Sequence, residues 1–74
     1  MADVLFKNQN YIVNVGPSLV LEDAMMYHAV NIETGVIEAE EQMLPRIIEY
    51  AQQLNEAVED LRVQGLLQTR APLQ

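Results

Sequence analysis

Cysteine and tryptophan are absent from this chain of 74 residues, and histidine occurs once. Without cysteine no disulfide can form, and a lone histidine cannot supply a usual zinc site. The three glycines stand far apart, so there is no glycine-rich loop of the kind that cradles phosphate. Positive charge is scarce too: 4 Lys+Arg face 11 Asp+Glu, giving a formal net charge of −7. Counterion release at nucleic-acid phosphates needs the opposite balance, which removes direct nucleic-acid binding from the expected functions. No run of about 18 apolar residues occurs, and the start "MADVLFKNQN" lacks a basic region followed by an apolar one. Neither a membrane span nor a signal peptide is expected, and the chain reads as cytoplasmic.

Half the residues are nevertheless hydrophobic, and their periodicity is informative. A chain this short forms one domain, residues 1–74, with a core too small to be comfortable alone, so self-association is the available staple. The segment "YIVNV" reads as a strand with Tyr11, Val13 and Val15 on one face. "GPS" turns the chain, "LVL" resumes extended structure, and Glu22 and Asp23 form a bulge or loop before a further run, "MMYHAVNI". After the turn signal "ETG" comes "VIEAE". Met26, His28, Val30 and Ile32 share one face of their strand, and Ile37 and Ala39 share one of theirs. The two apolar sets coincide if the connecting loop has two or four residues, which leaves Tyr27, Ala29, Asn31, Val36, Glu38 and Glu40 on a wetter face.

Pro45 suits the first turn of a helix, and Gly65 suits its end. The spacing predicts a helix from about Leu44 to Gln64, with Leu44, Ile47, Ala51, Leu54, Val58 and Leu61 on one seam and Ile48, Tyr50 and Ala57 beside it. The expected architecture is therefore α+β: three or four antiparallel strands within residues 4–40, one long C-terminal amphipathic helix, and a tail at 66–74. Such a helix is about 31 Å long, whereas short strands reach only about 17 to 20 Å. Ile47, Ala51, Leu54, Val58 and Leu61 are accordingly expected to meet another copy of the chain, making the protein a homo-oligomer. The alternative is that residues 1–6, or Leu66 and Leu67, fold back over the seam.

Catalytic residues are hard to find. Ser18 lies beside Pro17 in a turn, and His28 falls among apolar neighbours, as a packed histidine would. Glu38 and Glu40 on one strand face could hold a hard cation, but acids on an edge strand serve more often against aggregation. No metal or other cofactor is expected. Arg46 is unusual, because a cation in the first helical turn opposes the macrodipole. A local ion pair with Glu40, Glu41 or Glu49 would explain it. The alternative is an anion site, in which the guanidinium and free helix N–H groups receive a phosphate. Tyr11, Tyr27 or Tyr50 would then stack on a base and Asn14 or Asn31 read its polar edges, with His28 nearby.

The stretch "YHAVNIETGVIEAEEQMLPRIIEYAQQLNEAVEDL" resembles small accessory proteins of tailed phages, where a strand ending in "VN", a "TG" turn, a short acidic strand and "LP" precede one long helix. In outline it is similar to the oligomeric anti-defence sponges that sequester cyclic nucleotide immune signals. That resemblance implies a non-enzymatic protein that captures a small nucleotide-like ligand between subunits. An acidic adaptor or inhibitor of a host protein, or an assembly element of a larger particle, is the alternative reading.

Overall fold

Four strands and one helix follow one another: β1 (Phe6–Lys7), β2 (Tyr11–Pro17), β3 (Met25–Asn31), β4 (Ile37–Glu41) and α1 (Leu44–Val63). They belong to a computed structural model that describes residues 3–65. The expected tail at 66–74, and with it Leu66 and Leu67, lies outside the described residues. The strands form one antiparallel meander in the order β1-β2-β3-β4, and α1 packs across one side of it, touching β2, β3 and β4. The α+β expectation is met.

The core is small. Tyr11, Val13, Ala29, Ile47 and Ala51 are sealed, each at 1% exposure or less, with Phe6, Tyr27, Ala39, Leu44, Ile48, Leu54 and Val58 packed around them. Small side chains set this geometry. Ala29 lies between Val13 and Ala39 in the middle of the sheet, and Ala51 faces it from the helix, so the two layers can approach closely. Helix α1 starts without a side-chain cap at Met43, whose carbonyl accepts from the N–H groups of Arg46 and Ile47, and Pro45 opens the first turn. Gly65 ends it at φ 75°, where a β-carbon would be strained.

Two expectations about the sheet fail. The connection between β3 and β4 takes in residues 32–36, an odd number, and a bulge at Glu38 absorbs the extra residue: Ala29 pairs with Ala39, but Val30 pairs with Ile37. Ile37 and Ala39 therefore lie on opposite faces. The helix covers the Tyr27, Ala29 and Asn31 face, while Met26, His28 and Val30 lie behind the sheet, the reverse of the expected arrangement. Residues 19–21, expected to be extended, form an exposed loop instead.

The helix seam also needs correcting. Ile47 and Ala51, expected to meet a second copy, are sealed beneath the sheet of their own chain, and Leu54 and Val58 are half-buried against the same core. Only Leu61 of that set is exposed, at 41%. Comparing strand length with helix length overlooked the β1–β2 turn, which runs along the far half of α1. Asn8 Nδ2 donates to the Ala51 carbonyl at 3.0 Å, and Asn10 Nδ2 donates to Asn55 Oδ1 at 2.8 Å and to Glu59 Oε2 at 2.7 Å. Arg62 completes this polar clasp through its ion pair with Glu59.

Candidate functional site

The β2–β3 loop, residues 18–24, is the most unusual part of the surface. Leu19, Val20, Leu21 and the neighbouring Met25 are 65, 82, 50 and 64% exposed. Leaving such side chains wet forgoes roughly 1.5 to 3 kcal/mol for each, yet the loop carrying them is firmly braced. The Ser18 N–H donates to the Ala24 carbonyl at 2.8 Å and closes its base. The Ser18 hydroxyl oxygen accepts the N–H groups of Val20 and Leu21 at 3.1 and 2.9 Å, the local turn chemistry that serine favours. Asp23 adopts φ 58°, a left-handed conformation that aspartate tolerates better than most residues.

Glu40 on β4 anchors the loop. Its Oε2 accepts the Ser18 hydroxyl at 2.7 Å, and its Oε1 accepts the Leu19 N–H and His28 Nε2, both at 2.8 Å. The Leu19 N–H, then the Ser18 hydroxyl, with a smaller contribution from His28, hold this carboxyl below its ordinary pKa against the opposing effect of burial. An ionised carboxylate only accepts, so His28 Nε2 carries the proton in this contact. The imidazole, 3% exposed, packs against Gly16, where an added β-carbon would lie 3.3 Å from Nδ1. Glycine at that position makes room for the ring.

Serine, histidine and glutamate thus meet, but in an order that does not activate a nucleophile. A relay needs the imidazole between hydroxyl and carboxylate. Here the carboxylate is in the middle, and the serine oxygen already accepts two N–H groups. The cluster is a latch. An open hollow of about 630 Å³ lies within residues 17–25, walled by the apolar side chains of the loop and by Glu22 and Asp23.

The residues expected to form a nucleotide site do not converge. Tyr11 is sealed, and its hydroxyl donates to Glu38 Oε1 at 2.8 Å; burial first, then that hydrogen bond and the charge of Glu38, push the phenol up to about 12. Asn31 also donates to Glu38, at 3.1 Å, while its Oδ1 accepts the N–H groups of Glu33 and Thr34. It is a turn residue. Tyr27 packs on the core beside α1, whereas Asn14 pairs with His28 across the other face of the sheet. Arg46 is exposed, and hydrogen bonding to Tyr50, then the charges of Glu41 and Glu49, raise its pKa. Those neighbours favour the local explanation of a cation in the first turn.

No family model, curated protein or solved structure matches the chain. The bulge sends Glu38 toward Tyr11 and Glu40 toward His28, so the two acids are not the cation pair that strand alternation suggested. Among the described residues no group of three or more His, Asp or Glu is placed to hold a metal ion, and no helix is long and apolar enough to cross a membrane. Sequence reasoning passed over Ser18 and Glu40 as partners because 22 positions separate them. The one available signal was an apolar "LVL" flanked by Ser18 and the acidic pair Glu22 and Asp23.

Proposed function

We propose that this chain is a protein-docking module, an acidic adaptor or inhibitor that inserts the 19–21 loop into an apolar cleft of another protein. The observation that carries this reading is the combination of exposure and bracing: Leu19, Val20 and Leu21 stand in water while Ser18, Glu40 and His28 hold their backbone in place. A loop ordered in advance loses less entropy when it binds. Glu22 and Asp23, both exposed, favour a cleft with basic groups at its rim. Capture of a nucleotide-like ligand gains no support, since Tyr11 is enclosed and Arg46 has carboxylate neighbours.

The test replaces Val20 by a photo-crosslinking residue and Gln53, on the outer face of α1, by the same residue as a control. Crosslinked partners from a host lysate are identified in each case. The expected result is a protein captured through position 20, not through position 53, whose capture an unlabelled Val20→Asp competitor fails to suppress although the unsubstituted chain suppresses it. A crosslinking pattern identical at the two positions would remove the proposal.

A further inference from the structure

The hydrogen bonds that brace the 18–24 loop also decide what its surface can offer. Four successive N–H groups are turned inward: Ser18 donates to the Ala24 carbonyl, Leu19 to Glu40 Oε1, and Val20 and Leu21 to the Ser18 hydroxyl oxygen. Pro17 has no N–H to give. The apolar crest therefore shows a partner no backbone donor. Acceptors are left open, however, since among the described residues nothing donates to the carbonyls of Leu19 and Val20. Glu22 and Asp23 are exposed, and neither carboxylate has a hydrogen bond or ion pair with any described residue.

These features converge on the hollow of about 630 Å³, where Leu19, Leu21 and Met25 supply apolar wall and Glu22 and Asp23 the only charge. An anionic occupant would meet like charge there. A wholly apolar one would strip water from acceptors that it cannot satisfy, and a small hydrated cation would gain nothing from the wall.

We infer that the hollow receives an arginine side chain from the partner protein, its methylene stem along Leu21 and Met25 and its guanidinium donating to the acceptors at the rim. This rests on the reading of the loop as a docking element and names the group that the partner brings to it. A guanidinium is weakly hydrated and has five N–H donors with no acceptor, so it matches a surface that has acceptors without donors; lysine offers a more strongly hydrated point charge. Its long stem lies on apolar surface while the charged head stays at the wet rim. Glu49, Glu56 and Asp60 on the outer face of α1 also attract cations, but there the exposed Gln52 and Gln53 take the place of an apolar wall.

The test titrates the full chain with a capped tripeptide that has arginine between two leucines, while amide shifts are followed by NMR. Its lysine counterpart and its citrulline counterpart, an uncharged isostere of arginine, are titrated alongside. Each is taken to about 5 mM, because the contacts of one side chain reach only millimolar affinity. The arginine peptide should move the signals of Leu19 to Met25 and bind about tenfold more tightly than the citrulline peptide, with the lysine peptide between them. Glu22→Gln combined with Asp23→Asn should remove about that tenfold, and asparagine tolerates the left-handed backbone of residue 23, so the fold is kept. Glu56→Gln combined with Asp60→Asn should change nothing at the loop. Equal affinities for arginine and citrulline would overturn the inference yet leave docking by the apolar crest standing, and capture through position 20 judges that reading separately. Shifts on α1 in place of the loop, or no shifts at all, would overturn it too, as would lysine binding more tightly than arginine or a Glu22 and Asp23 variant that binds unchanged.

Discussion

Glu40 has three partners through two oxygens, and its ionisation is linked to the shape of a loop that begins 22 residues earlier. Its folded pKa is depressed, so the stabilisation it provides is complete above the ordinary carboxylate value and is lost as pH falls through the lower folded value. Acid should therefore free the loop. Amide exchange followed by NMR should show Leu19, Val20 and Leu21 losing protection on acidification, and a Glu40→Gln variant should lack that step. Tyr11 behaves in the opposite sense. Its raised pKa means that its contribution is present below the ordinary value of 10.0 and is lost as pH rises toward about 12. Absorbance titration of Tyr11→Phe should lack the most alkaline phenolate component. The same substitution should cost about 0.5 to 1.5 kcal/mol, the worth of a hydrogen bond whose acceptor, Glu38, can turn to water.

Among the elements, the helix was the most legible. Pro45, Gly65 and the three-four spacing from Leu44 onward are local signals, and α1 begins at Leu44 and ends within a residue of the expected Gln64. The strands were legible as strands but not as faces. In "MMYHAVNI" both alternating sets are apolar enough to pass for a core; pairing with β2 puts Ala29 beside Val13 on the helix side, and a bulge at Glu38 that no residue type announces resets Ile37 against Ala39. The latch was illegible for a related reason: Ser18, His28 and Glu40 come together only when three strands pair. Asn8 and Asn10 grip α1 from the β1–β2 turn, a role that depends on where the helix lies. Ile47→Ala should therefore cost about 2 to 5 kcal/mol by opening a cavity in a sealed position. Asn55→Ala should cost about 1 to 3 kcal/mol by removing an acceptor from the enclosed Asn10. Gln53→Ala, on the exposed face, should stay within about 0.5 kcal/mol of neutral. Thermal unfolding monitored by circular dichroism measures all three.

At the scale of the whole molecule, the described residues have one cluster of sealed side chains, to which sheet and helix both contribute. Neither layer keeps a core of its own, so unfolding should be a single cooperative event, with tyrosine signals and far-ultraviolet ellipticity changing together. Separate midpoints would contradict this account of the core. The loop also bears on the order in which the chain takes shape. Glu40 belongs to the last strand, whereas Leu19, Val20 and Leu21 precede it by about twenty positions. At about 5 to 20 residues per second, a ribosome produces these greasy residues roughly one to four seconds before the carboxylate that will fix them. The braced loop is thus a late structure of folding, fixed only once β4 has paired with β3 and brought Glu40 beside Ser18.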